Sequence, residues 1–183
     1  MDHLLVERAR KGDRDAFASL VHQVSGSLFA VAFRILRDSG LAEDALQNAL
    51  VTAWRQLPHL RDHDRFEAWI HRVLVNACYA ESRRKKAFAT NIHVLDSSSS
   101  STPDASRELA DRDELERAFR KVPLDQRAVF VLHHYLGYPL VEVAETLGIP
   151  AGTARSRLHY ATRSLRAAML AGGATSNEEA RLA

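Results

Sequence analysis

The sequence predicts an all-α protein of two small helical domains joined by a flexible linker, the second domain a helix-turn-helix. Three observations predict it. Gly and Pro are scarce inside the apolar-periodic runs, and no run alternates apolar and polar residues long enough to suggest a sheet. One segment, 87–106, reads AFATNIHVLDSSSSSTPDAS and cannot supply a packed face. Residues 140–170 carry two amphipathic runs joined at Gly148.

In the first half, helices are expected at about 3–10, 13–37, 41–56 and 64–86, with breaks at Lys11-Gly12-Asp13, Ser39-Gly40 and Pro58. The linker follows over 87–106, leaving about 86 residues before it and about 75 after it. Each half is thus near the lower limit for an independent core. Beyond it, helices are expected at about 107–121, 125–136, 140–147 and 153–170, and the tail 171–183 is expected to be disordered.

Helix 41–56 places Leu41, Ala45, Leu46, Ala49 and Ala53 at core positions and Glu43, Asp44, Gln47 and Asn48 near its start. Acidic groups there complement the helix dipole. They also suit a polar docking surface for a protein partner, and periodicity does not choose between the two. Helix 64–86 has a core stripe of Phe66, Trp69, Ile70, Val73 and Ala77. Arg72, Asn76, Tyr79 and Arg83 share another face, and the helix ends in Arg83-Arg84-Lys85-Lys86. Cations at a C-terminus are favoured in any protein. An Asn and an aromatic among arginines are explained less well that way, because they can hydrogen-bond and stack with bases.

In helix 140–147, Val143, Ala144 and Leu147 share a face, and Gly148 supplies the φ > 0 stop. The next helix has an apolar stripe of Ala154, Leu158, Ala161, Leu165 and Met169. Arg155, Ser156, His159 and Arg163 point largely away from it, with Arg157 and Tyr160 on the flank, and no acidic residue occurs from 146 to 177. Such a face is either simply solvated or suited to the DNA major groove, where Arg pairs with guanine and other cations meet phosphates.

Composition bounds the function. The net charge is +2, so partners must be sought in how the charge is distributed. Cys78 is the single cysteine, which rules out an internal disulfide and a Cys-based zinc site and fits a reducing cytoplasm. Met1 to Arg10 is too charged for a signal peptide, and no stretch approaches 18 uncharged apolar residues, so no direct membrane insertion is expected. There is no Gly-rich phosphate loop and no nucleophile motif. His59 and His63 stand beside Asp62 and Asp64 in an expected loop, a weak metal signal. No enzyme activity, cofactor, metal or small-molecule substrate is expected.

These stretches resemble the extracytoplasmic-function sigma factors, the minimal group of the sigma-70 family. AEDALQNALVTAWRQL (42–57) is similar to the helix that grips the clamp coiled coil of RNA polymerase. RFEAWIHRVLVNACYAESRRKK (65–86) is similar to the helix that reads and melts the −10 element. VPLDQRAVFVLHHYLGYPLVEVAETLGIPAGTARSRLHYATRSLR (122–166) is similar to the domain that reads the −35 element. The resemblance covers about residues 10–170. It implies a region 2 domain over 1–86 and a region 4 domain over 107–170. It implies contacts to core RNA polymerase from Asp44, Gln47 and Asn48, and to −10 promoter DNA from Arg72, Asn76, Arg83 and Arg84. The loop 58–65 would help capture a flipped-out base. Thr153, Arg155, Ser156, Arg157 and His159 would contact −35 DNA. An anti-sigma factor joins polymerase and promoter DNA as an implied partner.

The sequence departs from the family pattern at several positions. Members often carry an acid where Asn48 stands, an aromatic at Leu50 and Asp at Ala80, and Val and Lys where Ala154 and Arg155 stand. Two alternatives are a stand-alone helix-turn-helix regulator and a sigma-like protein that has kept only its interactions. The first leaves the basic helix 64–86 unexplained.

Overall fold

A computed structural model describes residues 3–91 and 116–182. Among these residues every regular element is helical, as the periodicity predicts. The first half holds α1 (His3–Arg10), α2 (Arg14–Leu36), α3 (Ser39–Gln56) and α4 (Phe66–Asn91). The second holds α5 (residues 116–121), α6 (Leu124–Phe130), α7 (Leu140–Leu147) and α8 (Ala151–Leu182).

α2 is the central helix. Asp13 caps it, with its Oδ1 accepting from the N–H groups of Asp15 and Ala16 at 3.0 Å. Ala16, Leu20, Val24, Leu28, Val31 and Ile35 recur at spacings of four, four, four, three and four and are buried against α1, α3 and α4. Burying each Leu, Ile or Val stabilises the fold by roughly 1.5–3 kcal/mol. By length and hydropathy α2 could also cross a membrane, which the sequence reading did not anticipate. Its buried stripe is that of a core helix.

The turn after α2 differs from expectation. Ser39 and Gly40 lie in the first turn of α3, and the break falls at Arg37-Asp38. Arg37 adopts the left-handed conformation (φ 57°) that ends α2. Asp38 begins α3 by accepting from the Leu41 N–H at 3.0 Å. The core face of α3 is Ala42, Ala45, Ala49 and Ala53, all buried, with Leu41 and Leu46 packed at its edges. Small residues at spacings of three, four and four let α4 approach closely. Pro58 starts a single tight turn, Leu57–His59, and a second, His63–Arg65, leads into α4.

α4 buries Phe66, Ile70, Val73, Leu74, Val75 and Cys78. It runs to Asn91, five residues into the expected linker, because Ala87 to Asn91 contains neither Gly nor Pro to stop it. The rest of that linker, 92–106, and the expected helix 107–121 before residue 116 lie outside the described residues.

In the second half, α6 ends in a widened turn over Val131–Tyr135, where the Leu136 N–H reaches the Val131 carbonyl at 3.2 Å. The turn between α7 and α8 follows the sequence closely. Gly148 sits at φ +64°, its N–H bonds the Glu145 carbonyl (3.1 Å) and the Ile149 N–H bonds Ala144 (3.0 Å). α8 starts at Ala151, two residues early, and continues to Leu182, where the tail was expected to lack structure. Gly172 and Gly173 each cost about 1 kcal/mol in a helix relative to alanine. Alanines, Glu178, Glu179 and Arg181 around them favour it.

The two halves pack on each other. α6 lies on α2 and α7 on α4, and Ala128, Val129, Val131, Leu132 and Val143 join the same buried cluster as the first half. A smaller cluster of Ala118, Val122, Ala161 and Leu165 holds α5 to α8.

Candidate nucleic-acid and polymerase interfaces

Three surfaces carry the residues singled out above. The first joins α3 to α4. Asn48 donates through Nδ2 to Glu81 Oε1 at 2.7 Å. Arg84 Nη2 lies 2.7 Å from Glu81 Oε2 and 3.1 Å from Asp44 Oδ2. Lys85 reaches Asp38 at 2.7 Å. Two expected polymerase contacts, Asp44 and Asn48, thus meet an expected DNA contact, Arg84, around a buried carboxylate. Gln47 is exposed. Sequence reading missed Glu81. The one available signal was an acid three residues before Arg84, at the edge of a cationic run.

The second surface is the outer face of α4. Arg72, Asn76 and Arg83 are exposed along it, as their spacing requires. Tyr79 is half-buried, its hydroxyl has no hydrogen-bond partner, and burial pushes its pKa up to about 12. This face is turned toward the second half. A Cβ on Gly148 would stand 3.4 Å from Arg72 Nη2. His71 Nδ1 and the Tyr138 hydroxyl share a hydrogen bond at 2.8 Å, and Arg65 pairs with Glu145 at 3.1 Å. Burial holds the His71 imidazole below its ordinary pKa, with Glu67 opposing. Burial also raises the Tyr138 phenol to about 12, helped by Glu142 and Glu67. Between the loop after α3, the start of α4 and α7 lies a cavity of about 270 Å³, lined by Leu60, Arg61, Trp69, Arg72 and Glu142 among others. The loop 58–65, expected to help capture a flipped-out base, supplies Leu60, Arg61, Asp62 and Arg65 to its lining.

The third surface is the start of α8. Ala154, Ala161 and Leu165 are buried, and Leu158 is half-buried. Met169's side chain is outside the described residues. Arg155, Ser156 and His159 face solvent together, with Arg163 one turn on. The Ser156 hydroxyl donates to the Thr153 carbonyl at 3.0 Å. Thr153 is half-buried, and Arg157 is anchored by an ion pair from Nε to Asp125 Oδ2 at 3.0 Å. The five expected DNA contacts therefore divide into an outer set of three and an inner pair.

The remaining candidates are quiet. Cys78 is buried, and burial drives its thiol pKa up to about 12, as befits a small core hydrophobe. Among the described residues no three His, Cys, Asp or Glu side chains converge as metal ligands.

Comparison with known proteins gives both halves a likeness. Residues 20–88 match Sigma-70 region 2, and residues 112–165 match Sigma-70, region 4. The ECF RNA polymerase sigma factor SigM of Mycobacterium tuberculosis is 33% identical over 150 residues, covering 80% of this chain and 73% of SigM. SigL of the same species, likewise an ECF RNA polymerase sigma factor, is 32% identical over 165 residues, covering 88% and 93%. Among solved structures, CnrH in complex with the cytosolic domain of CnrY superposes with a TM-score of 0.66 at 26% identity, over 93% of this chain and 97% of that one.

Proposed function

The chain belongs to the sigma-70 family, in its group of ECF RNA polymerase sigma factors, and from that premise we infer how its two halves divide the work. As a member it binds core RNA polymerase and directs promoter recognition and transcription initiation. The region 2 match accounts for the basic α4 helix, which a stand-alone helix-turn-helix regulator leaves unexplained.

In this reading 1–86 is the polymerase and −10 half and 107–170 the −35 half. Gln47, with Asp44 and Asn48 beside it, contacts core polymerase. Arg72, Asn76 and Arg83 contact −10 DNA, and Arg84 joins them while holding Glu81. Arg155, Ser156 and His159 meet the −35 major groove, and Thr153 and Arg157 support them from the inner side. Each half presents few cations, so its affinity for DNA alone is weak and salt-sensitive. Docking both halves on one polymerase makes their contacts additive through effective concentration. Melting draws on binding: unpaired bases gain stacking partners on the first half, so no catalytic group is needed. The work is done where polymerase and chromosome are, in the cytoplasm. An anti-sigma factor is the third partner in this reading, in line with CnrH and its bound CnrY domain.

The observation that carries this reading is the ordered pair of sigma-70 matches, with three polar side chains exposed on the helix after the Gly148 turn. In vitro transcription with core polymerase from the source organism and a fragmented genomic template tests it. Transcripts that appear only with the protein, downstream of a shared pair of motifs, are expected. The absence of both core binding and new transcripts would overturn it.

A further inference from the structure

A second cavity, of about 250 Å³, lies between the two halves on the side of α2 where α5 and α6 pack. Arg34 of α2 and Arg37, which caps it, line the cavity with Glu116, Phe119, Phe130 and Tyr135. Arg120 and Arg127 add their charge: Arg37 feels the fields of Arg120 and Arg34, and Arg127 that of Arg37. Two guanidinium groups therefore line the cavity, within the electrostatic reach of two more. The Arg37 side chain is only 8% exposed. Its Nε, and that of Arg127, are buried without a hydrogen-bond partner.

Little here neutralises that charge. Among the described residues one carboxylate, Glu116, pairs with Arg37, and it is itself 46% exposed. Arg34 also donates to the Ala30 carbonyl at 3.1 Å, and both Arg34 and Arg37 make aromatic contacts. Arg34 sits 3.8 Å over the Tyr135 ring, and Arg37 lies 5.3 Å from Phe33 and 5.6 Å from Phe119. Cation–π contacts orient a guanidinium but supply no counter-charge. Burial lowers the pKa of both Arg37 and Arg127, and the neighbouring guanidiniums lower them further, Arg127 to about 10. Buried cations with idle donors are costly unless an anion completes them.

We propose that this cavity binds a phosphate group, either free or as a small phosphate ester. Guanidinium forks match phosphate oxygens, and Arg37, which lines the cavity, already holds an idle Nε–H donor. The cavity is too small for a nucleic-acid duplex but suits one oxyanion. Phe119, Phe130 and Tyr135 form an apolar wall beside it that a planar ester such as a nucleoside monophosphate would cover. Because Arg34 and Arg37 come from the end of α2 and the aromatic wall from α5, α6 and the turn after it, a bound phosphate ester joins the two halves. None of these arginines is among the polymerase or promoter contacts proposed above, so this inference stands or falls separately.

The test is calorimetric titration of the full-length chain with inorganic phosphate and, separately, with adenosine monophosphate, ionic strength being held constant with chloride. Saturable binding of one anion per chain is expected, weakened about tenfold or more in Arg37→Gln and in Arg34→Gln, as loss of a charge-assisted hydrogen bond implies. Tighter binding of the monophosphate identifies an ester as the ligand. Equal binding identifies free phosphate. Absence of saturation at millimolar concentrations of both probes, or unchanged affinity in a folded variant, overturns the proposal. Two variants are used so that one failing to fold leaves the other to decide.

Discussion

Replacing Arg84 by Ala separates a structural role from a DNA-binding one. Arg84 lies 2.7 Å from Glu81, whose side chain is 5% exposed, while Arg84 itself is 65% exposed. An exposed pair is worth roughly 0.2–1 kcal/mol, and breaking a fully buried pair costs about 3–5 kcal/mol. This pair is buried at the carboxylate end only, and Asn48 still donates to Glu81 at 2.7 Å. A loss of about 1.5 kcal/mol follows for Arg84→Ala, which in a chain of this length lowers Tm by roughly 3–6 °C. Glu81→Gln removes the buried charge, so Arg84→Ala in that background should cost about 1 kcal/mol less. Urea unfolding of the four proteins of this cycle, followed by far-ultraviolet circular dichroism, measures the coupling. Additivity within about 0.3 kcal/mol would refute the argument, because it would mean that Glu81 and Arg84 do not interact. If Arg84 also touches the −10 backbone, the double variant regains stability but not promoter affinity.

Four further outcomes are expected. Gly148→Ala places a Cβ at φ +64° and should cost about 1 kcal/mol in chemical denaturation; a neutral or stabilising result would contradict the left-handed cap. His71 has its folded pKa lowered by burial, so the unfolded chain takes up the proton first. Its contribution to stability is therefore complete above the unfolded pKa of about 6.5 and is lost as pH falls toward the folded value, and His71→Gln should flatten that slope in denaturation series across the range. Asn76→Ala should reduce open-complex formation, read by permanganate footprinting, more than polymerase binding; equal loss of both would count against base contact. Arg157→Ala should weaken recruitment to promoters that depend on the −35 element, through the lost Asp125 anchor at 3.0 Å, and an unchanged footprint would speak against it.

Much of the fold was legible because its signals are local. The α7–α8 turn needed only Gly148 and two flanking periodicities, and the structure shows the cap those residues imply. The stripes of α4 and α8 were legible for the same reason: 3.6-residue spacing is a property of one helix. Where sequence reading failed, a nearby alternative matched the local signal as well. Ser39-Gly40 resembles a break, but Asp38 is the better cap and Arg37 accepts the left-handed turn. The serine run drew the linker's start back to residue 87, although Ala87 to Asn91 are compatible with helix.

What stayed hidden depends on partners distant in sequence. Nothing in the sequence shows that Asn48 meets Glu81, 33 positions on, or that Arg65 meets Glu145, 80 positions on. Such pairings change what a face can do. Arg72 is at the right position on α4 to meet DNA, but its guanidinium lies against Gly148, beside the Arg65–Glu145 pair. Arg72 is exposed, but the α7–α8 turn beside it narrows a duplex's approach. Moving that turn means exposing Val143 and its neighbours from the shared core and breaking the His71–Tyr138 hydrogen bond. Val143 alone is worth roughly 1.5–3 kcal/mol of burial. If the halves separate on promoter DNA, polymerase and promoter contacts formed together must supply that energy. DNA affinity of the free chain should then be weaker than the exposed cations on α4 and α8 alone would suggest.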